Sequence, residues 1–473
     1  MCGFSGVFGE NASHKKELIK KCMLDMSHRG PDFSGLETLS NYVVGHNRLA
    51  IRDLSEKGNQ PMYSSTKRFL IAYNGEIYNT LELVTKFKLT SYKNESDTSI
   101  LLKLFEILGV QNSLNTLDGM FSISVYDLLE KKVYLARDSF GIKPLFYTLS
   151  DNYLIFSSEV KPLARHFGYT IRDKSVSSYL DYGYVRDSFT LFNEYVKVKP
   201  GEILILTFSE IEKISLKKDS IKLKRTENSV INSINKSVNS MLISDVNVGL
   251  FLSGGIDSSL TAAFIKRKTK NFYSHTVKFN IDRFDESKIA RETSNYLGIN
   301  HKEHLLDENT IINSIKNIGD LLDEPISDSS FLATYFISKK SSEYSKVVLS
   351  GDGADELFVG YKRYKNAKKS WLLFKLFKLL MPIQNVRYSL FSIMFNMYKL
   401  KFRHTSKNNF LNKLKYLDNC KNAIEFYNIF TRKMFISSLI YKNYDKDYSE
   451  NKMKRLTIIA GLTMMTAGTG YML

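Results

Sequence analysis

Alternating apolar and polar positions mark the first half of the chain. Phe121–Asp127 and Lys132–Asp138 follow a period of two, as strands with one buried face do. Two further strands are predicted over Phe69–Tyr73 and Ile203–Phe208, and a helix is predicted over about Ser99–Leu108. The pattern therefore predicts a strand-rich first half.

Apolar runs that end in glycine-rich turns mark the second half. The run Val248–Leu252 is typical of a strand buried on both faces of a parallel sheet. Two of the runs lead into a Gly- and Asp-rich turn that opens a helix, and doubly wound sheets bind ligands at such turns. The other elements predicted here are helices over about Ser229–Leu242 and Asp285–Leu297, the second stopped by Gly298, and strands over Phe272–Phe279 and Lys346–Ser350.

Length and composition indicate a globular protein of two or more domains. The chain has 473 residues, of which 43% are hydrophobic and 25% are charged. Its three cysteines, Cys2, Cys22 and Cys420, form no disulfide framework and favour a reducing compartment. The first residues lack the basic and apolar regions of a signal peptide, so we expect a cytoplasmic protein.

The formal net charge of +18 comes almost entirely from the last quarter of the chain. Residues after Gly360 include 22 Lys and Arg against 5 Asp and Glu, whereas residues 1–360 include 45 against 44. A basic tail can bind nucleic acid or an anionic membrane, or its lysines can cover the solvent face of a helical region. The last alternative is favoured and no nucleic-acid partner is predicted, because no nucleic-acid-binding motif accompanies the charge.

Two C-terminal segments are apolar enough to be weighed as membrane segments. Trp371–Leu380 would form an amphipathic helix that is too short and too charged to span a bilayer. Leu456–Leu473 has no charged residue, but its glycines make it a weak spanning candidate. We therefore expect packing within the domain for the first segment and no stable membrane insertion.

The turn after Val248–Leu252 has the features of an anion site. Gly254 and Gly255 allow a tight turn and close approach of a ligand, and Ser258 lies where a helix start leaves N–H groups unpaired. Glycine turns join strands to helices in many proteins, but the string Ser-Gly-Gly-Ile-Asp-Ser-Ser is more specific. It lacks the Gly-Lys-Ser/Thr ending of a Walker A loop. It resembles the pyrophosphate loop of ATP pyrophosphatases.

Cys2 is a candidate nucleophile if the initiator methionine is removed. Its thiol and a free α-amino group would then belong to one residue. An α-amino group titrates at about pH 8, so it can take the thiol proton as a general base. A cysteine at the second position is weak evidence by itself.

Four strings of the first half strengthen this hypothesis. They are His28–Asp32, Gly45–Ile51, Tyr73–Asn79, which would place an Asn-Gly turn after a strand, and Ser96–Thr98, which would cap a helix. Each has an ordinary structural explanation. Together, in this order, they resemble the glutaminase domain of class II glutamine amidotransferases, which has an N-terminal-nucleophile hydrolase fold.

The resemblance assigns chemical roles within these strings. Cys2 would attack the side-chain amide of glutamine, and the Asn74 side chain with the Gly75 N–H would form the oxyanion hole. A guanidinium fork suits the α-carboxylate, and carboxylates suit the α-ammonium. The implied glutamine-binding set is Arg48 for the carboxylate, Glu76 and Asp97 for the ammonium, and Asn74 and Gly75.

Three strings of the second half resemble glutamine-hydrolysing asparagine synthetases, in the same order. They are Ser253–Ser259, the acidic stretch Asp323–Ser330 and Ser350–Glu356, and the similarity covers roughly residues 2–365. It implies that Asp352, where many members carry Glu, acts in forming an acyl-adenylate. It also implies Mg²⁺-pyrophosphate binding by Asp257 and Asp355, and ATP contacts from Leu252, Ser253, Gly254, Gly255, Asp257, Ser258, Val277, Ser350 and Gly351.

The resemblance implies two domains. Residues 2–210 would form an α+β sandwich of αββα type, and residues 225–473 would form an α/β doubly wound parallel-sheet ATP-pyrophosphatase domain with a helical C-terminal region, joined by a linker near 209–225. Glutamine, aspartate and Mg-ATP would give glutamate, asparagine, AMP and pyrophosphate, with ammonia passing inside the protein. A homodimer is a possible assembly.

The C-terminal strings of related synthetases do not occur in this sequence, so the chain is expected to be truncated. Three hypotheses therefore remain open at this point. The protein is an asparagine synthetase, an amidotransferase for another carboxylate such as a sugar acid in surface-polysaccharide synthesis, or a synthetase-inactive remnant or binding subunit.

Overall fold

The computed structural model describes residues 1–89, 95–150, 152–217, 226–269 and 271–361, with a few positions between 364 and 379. Two six-stranded antiparallel sheets form its first part, and a four-stranded parallel sheet forms its second part.

The first part contains twelve strands and six helices within the described residues. The strands are β1 (Gly3–Phe8), β2 (Phe33–Thr38), β3 (Tyr42–Arg48), β4 (Met62–Tyr63), β5 (Phe69–Ile77), β6 (Gly119–Asp127), β7 (Lys132–Arg137), β8 (Phe146–Ser150), β9 (Tyr153–Ser157), β10 (Val196–Lys197), β11 (Glu202–Leu206) and β12 (Ile211–Ser215). The helices are α1 (Lys16–Asp25), α2 (Thr80–Lys86), α3 (Asp97–Leu108), α4 (Val110–Asn115), α5 (Val160–Phe167) and α6 (Asp173–Tyr182).

Side chains that alternate between the two faces of each strand pack these elements into four layers. The strand order is β10-β8-β9-β1-β3-β2 in one sheet and β12-β11-β7-β6-β5-β4 in the other. Phe4 of β1 and Leu70 of β5 belong to the apolar core between the sheets. Their neighbours face outward, Val7 against α1 and α5 and Ile71 against α3. The first part is therefore the αββα sandwich that the sequence predicts.

The second part is a doubly wound parallel sheet with the order β15-β14-β13-β16. From β13 the chain moves outward to β15 and then returns to place β16 beside β13, so the turns after β13 and β16 adjoin at the switch point. Its elements are α7 (Glu227–Met241), β13 (Val248–Phe251), α8 (Ile256–Lys268), β14 (Tyr273–Lys278), α9 (Ser287–Leu297), β15 (Asn300–Leu305), α10 (Glu308–Leu321), α11 (Ser330–Ser341), β16 (Val347–Leu349) and α12 (Ala354–Phe358).

Most predicted elements are observed within a few residues of their predicted ends. The helix predicted to stop at Gly298 ends there, because Gly298 adopts a left-handed conformation with φ of 62°. Ser96 caps α3 by accepting a hydrogen bond from the Ser99 amide at 3.2 Å.

Two predictions about local structure are wrong. Asn74 and Gly75 do not form a turn, since β5 continues to Ile77 and pairs with β6 throughout. The segment predicted as the start of the linker includes β12, which pairs with β11 at the edge of the second sheet. The strand β12 has the sequence Ile-Glu-Lys-Ile-Ser and is mostly exposed, and an edge strand of this kind is hard to distinguish from a linker by sequence.

Carboxylates join the two parts of the chain. Asp323, which precedes α11, accepts hydrogen bonds from the Val160 and Lys161 amides at 2.8 and 2.6 Å, at the first turn of α5. Glu324 pairs with Lys197 at 2.7 Å. A second bridge joins Lys346 to Asp32 at 2.7 Å. Each of these contacts links residues far apart in sequence, so the two folding units are docked by hydrogen bonds and ion pairs.

The membrane and tail predictions fall mostly beyond this part of the chain. Residues 371–376 are helical, whereas most of the predicted C-terminal helical region and the run Leu456–Leu473 lie outside the described residues. Among the helices that the structure describes, none is long and apolar enough to cross a bilayer.

The buried interdomain carboxyl Asp323 should make stability depend on pH. Burial, with the negative charge of Glu159, raises the pKa of Asp323 from 3.8 to about 7. Between these values the folded chain keeps a proton that the unfolded chain loses, so the stability from this group falls as the pH rises. We therefore expect Asp323→Asn, which cannot ionise, to gain stability relative to the original chain between pH 5 and pH 7, as measured by urea unfolding.

Asp307 provides the matched control for this experiment. It caps α10 within one domain, and the hydrogen bonds of Thr310 lower its pKa. It is ionised in both states above pH 5, so the effect of Asp307→Asn should not change across the same range. An Asp323→Asn difference that is equally constant with pH would contradict the prediction.

Candidate active sites

Cys2 lies at the amino end of β1, next to the end of β3. Its Sγ accepts a hydrogen bond from the Leu49 amide at 3.4 Å and donates to the Leu49 carbonyl at 3.7 Å. Burial raises the pKa of the thiol, and the negative charges of Glu76 and Asp97 act in the same direction. The resting thiol is therefore protonated near neutral pH and needs a base to become a nucleophile.

The terminal amine beside this thiol is held in its neutral form. Burial lowers the pKa of the Met1 amine to about 5, and the positive charges of Arg29 and Lys143 contribute. Arg29 also donates to the Cys2 carbonyl at 3.0 Å and pairs with Glu159 at 3.0 Å, which fixes the segment. An amine at this place is thus able to accept a proton at neutral pH.

Asn74 supplies a hydrogen-bond donor without a partner. Its side-chain nitrogen is buried, and in the described part of the chain no acceptor bonds to it. An unpaired buried amide is costly, which favours a site that awaits an acceptor. Gly75 follows on the same strand, where a Cβ would lie 2.2 Å from the Met120 carbonyl oxygen, so the backbone itself is all that fits.

Two buried acids stand close to the thiol. Asp97 accepts hydrogen bonds from the Tyr73 hydroxyl at 2.9 Å and the Ile77 amide at 3.3 Å. Burial raises the pKa of both Glu76 and Asp97, and the charge of Asp97 further raises the pKa of Glu76. Arg52, 4.0 Å from Glu76, offsets part of this repulsion. A ligand ammonium group would offset more of it.

Arg48 is occupied by its own chain. Its guanidinium donates to the Ser55 carbonyl and the Asn59 side chain, both at 2.8 Å, and to the Asp53 carbonyl. These bonds organise the segment 52–59 after β3. The assignment of Arg48 to a substrate carboxylate stays a prediction, and such a carboxylate would share the guanidinium with these acceptors.

The glycine turn after β13 forms a cradle of backbone amides. The Ser253 and Ser258 hydroxyls lie 3.0 Å apart, and the Gly255 amide donates to the Ser253 hydroxyl at 3.1 Å. The Gly254 amide donates to the carboxylate of Glu286 at 3.1 Å. The turn therefore already holds a negatively charged oxygen, which shows the chemistry of an anion site at a helix start.

The second glycine turn touches the first. A Cβ on Gly351 would lie 2.9 Å from the Ser258 amide and 3.2 Å from the Asp257 Cβ. Burial raises the pKa of Asp257, and so does the negative charge of Asp355. The predicted nucleotide-site residues Asp257, Ser258, Gly351 and Asp355 thus come together. Asp352 is exposed beside them and accepts a bond from Ser350 at 2.9 Å.

The repulsion between Asp257 and Asp355 fits a cation held between them. Magnesium ions in phosphate sites use one or two carboxylates and take their remaining ligands from phosphate and water. The described residues include no group of three or more His, Cys, Asp or Glu side chains placed for a metal ion. A cation here would therefore depend on ligand oxygens.

The remaining predicted ATP contacts surround the same turns. Leu252 is buried, and its amide donates to the His275 carbonyl of β14 at 2.9 Å. Val277 lies near the carboxyl end of β14. Their contact with ATP stays a prediction.

Three charged residues that no sequence motif marks lie close to these candidate sites. Glu286, Arg52 and Lys143 carry charges close to the predicted residues. Glu286 is separated from its turn by more than thirty residues of sequence, and nothing in its local pattern marks it. Lys143 lies in a loop between β7 and β8, and its burial depends on tertiary packing.

Comparisons with known proteins agree with the two-part architecture. A glutamine amidotransferase domain model matches residues 1–217, and an asparagine synthase model matches residues 230–456. Glutamine-hydrolysing asparagine synthetase 1 of Bacillus subtilis is 33% identical over 378 residues, covering 77% of this chain and 60% of that protein. A protein assigned as a second such synthetase of Methanocaldococcus jannaschii is 31% identical over 416 residues, covering 80% of this chain and 79% of its own.

One solved structure aligns with part of the chain. Glutamine phosphoribosylpyrophosphate amidotransferase from B. subtilis aligns at 16% identity and a TM-score of 0.35, over 64% of this chain and 65% of that chain. This score is too low to bear on the fold, which follows from the sheet topology.

The fold and the family models define a class of protein. An amidotransferase sandwich of N-terminal-nucleophile type is followed by a doubly wound domain of the ATP-pyrophosphatase type. The chain belongs to the glutamine-hydrolysing asparagine synthetase family. It spans about three fifths of the length of the B. subtilis relative.

The close contact at Gly75 predicts the effect of a small substitution. In Gly75→Ala the new methyl group would meet the Met120 carbonyl and the Phe121 backbone. The strands must separate, so the free energy of unfolding should fall by about 1–3 kcal/mol. Urea unfolding measures this change.

Gly319→Ala is the matched control, because nothing lies within 4 Å of a Cβ at that helical position. It should leave stability unchanged or raise it by up to about 1 kcal/mol. An equal effect of the two substitutions would show that the contact at Gly75 is not restrictive.

Proposed function

We propose that the protein is a glutamine-dependent asparagine synthetase. It would hydrolyse glutamine at Cys2, adenylate the side-chain carboxylate of aspartate with ATP, and join the released ammonia to that carboxyl group. The products would be glutamate, asparagine, AMP and pyrophosphate. Two features in one chain carry the proposal. The first is a thiol influenced by the charge of Glu76, whose strand also carries the unpaired buried amide donor of Asn74, and the second is an amide cradle that already holds a carboxylate.

The glutaminase step follows from the first site. With Met1 removed, the terminal amine would take the thiol proton and the thiolate would attack the glutamine amide carbon. The Asn74 amide and the Gly75 N–H would receive the charge that develops on the carbonyl oxygen. Glu76 and Asp97 would hold the substrate ammonium, because the repulsion between their two carboxylates makes a bound cation favourable. Arg48 would meet the α-carboxylate.

The ligase step follows from the second site. The amides of Ser253 to Ser258 would bind the phosphates, with Leu252, Val277, Ser350 and Gly351 completing the ATP site. Asp352 would act at the forming acyl-adenylate. We propose that Asp257 and Asp355 hold Mg²⁺, which when bound would neutralise charge on the pyrophosphate.

The docking of the two parts supports transfer of ammonia inside the protein. Ammonia in water at neutral pH is mostly ammonium, which is not a nucleophile. The interdomain bonds of Asp323 and Glu324 keep the two sites in one body, so an internal route would protect the neutral form.

Compartment and assembly are further parts of the proposal. Cys2 and Cys22 are free thiols, which fits a reducing environment such as the cytoplasm. The homodimer stays a prediction, for which chromatography coupled to light scattering would be the measurement.

Cys2→Ala tests the first site. The variant should lose glutamine-dependent asparagine formation and glutamate release, since no thiol remains to attack the amide. Synthesis from added ammonium with Mg-ATP and aspartate should persist. Chromatography of glutamate and asparagine would measure both products.

Cys22→Ala is the matched control, because Cys22 is buried in the core beside α5 and its pKa is raised to about 12 by burial. This variant should retain glutamine use. Glutamate release by Cys2→Ala at the original rate would refute the assigned nucleophile.

Asp257→Asn tests the second site. Loss of one carboxylate should lower aspartate-dependent pyrophosphate release by about 100-fold, because cation and phosphate binding both weaken. Glutamate release should remain. Asp307→Asn serves as the control, since asparagine caps a helix as well as aspartate does. Unchanged pyrophosphate release in Asp257→Asn would contradict the role given to this site.

A further inference from the structure

Lys143 is a buried cation that no carboxylate pairs with at close range. The residue is 6% exposed, and within the described residues no acid lies within ion-pair distance of its ammonium group. The contact that the structure shows for Nζ is the Met1 Sδ, at 3.2 Å. A thioether is a weak acceptor, so a buried ammonium group with this neighbour is poorly compensated.

The loop that carries Lys143 is built to hold it in place. The Asp138 carboxylate accepts hydrogen bonds from the backbone amides of Phe140, Ile142 and Lys143, each at 3.0 Å. Arg137 donates to the Lys143 carbonyl at 2.8 Å. A lysine backbone fixed by this many bonds aims its side chain at one place, the start of β1.

The charges around this ammonium group come from several elements. Arg29 precedes β2, Glu76 is on β5, Cys2 precedes β1, and Asp138 belongs to the same loop. Asp32 acts on the terminal amine as well. Burial and the charge of Arg29 lower the pKa of Lys143 to about 8, so it remains mostly protonated at neutral pH.

We propose that Lys143 is a positioning residue of the glutaminase site, whose positive charge keeps the terminal amine of Cys2 unprotonated and favours the thiolate. This inference rests on the glutaminase role proposed above. A nearby cation disfavours a protonated amine and stabilises an anionic sulfur, so one charge assists both partners of the proton transfer. Removal of Met1 would take away the thioether and leave this charge beside the new terminal amine.

The test compares pH profiles of glutamine hydrolysis for the full chain, with removal of Met1 confirmed by mass spectrometry. Lys143→Met replaces the charge by an apolar chain of similar length, and Lys143→Gln replaces it by a polar one. Each should move the acidic limb of kcat/KM upward by about one pH unit, because the amine now holds its proton to higher pH. At pH values below both limbs the rate should fall about tenfold, with a small change near pH 9.

Lys143→Arg should keep the original acidic limb, since it keeps the charge. Lys174→Met, at an exposed lysine of the same part of the chain, should have no effect. Alkylation of Cys2 by iodoacetamide gives a second readout, and its pH dependence should shift in the same direction. If Lys143→Met fails to fold, the Gln variant and the alkylation profile decide.

Three results separate the possible failures. If Lys143→Met and Lys143→Gln both show the pH profile of the original chain, the role of Lys143 is overturned while the proposed glutaminase activity stands. A higher KM with an unmoved acidic limb would also overturn it, because it would indicate a substrate contact. No glutamine hydrolysis by the original chain at any pH would refute the proposed function itself.

Discussion

The pairing of β1 between β3 and β9 fixes the position of Cys2. All six residues of β1 are buried, and the register joins Gly3 to Asn47 and Ser5 to both Gly45 and Ser157. A Cβ on Gly6 would lie 2.4 Å from the Phe156 ring and 2.7 Å from the Val43 carbonyl, so the strand cannot shift without breaking the core. Cys2 therefore holds a constant place beside Leu49, where its thiol exchanges hydrogen bonds with the backbone.

A series of charged contacts extends from this strand to the other half of the molecule. Arg29 joins the Cys2 carbonyl to Glu159, and Glu159 precedes the helix whose first amides are bonded by Asp323. Such groups are costly to bury singly and stable when each has a partner. The segment of Cys2 and the domain interface are thus connected through Arg29, Glu159 and the first turn of α5.

Much of this architecture could be predicted from the sequence, because it depends on local patterns. The period-two runs, the helix stop at Gly298 and the glycine turn before Ile256 all specify their structure within a few residues. The paired turns at the sheet edge also followed from the order of strands. Asn74 and Gly75 were misassigned as a turn because pairing with β6 outweighs the turn preference of Asn-Gly.

The charges that complete the sites could not be predicted in this way. Glu286 meets Gly254, and Asp323 meets Val160, across long stretches of sequence. Their partners are set by tertiary packing, and a carboxylate in a polar segment looks the same whether it is solvated or buried. Lys143 shows the same limit, because its isolation from acids is visible in three dimensions alone.

The bond between Glu286 and the Gly254 amide has a consequence for how the turn behaves when no ligand occupies it. A carboxylate tethered to the same chain is present at high effective concentration, so it occupies the amide whenever no other anion does. The Glu286 carboxylate is therefore an intramolecular competitor for any anion that binds at the Gly254 amide. An anion that binds this N–H group must first displace the Glu286 side chain, so its affinity is the difference between two interactions with one N–H group.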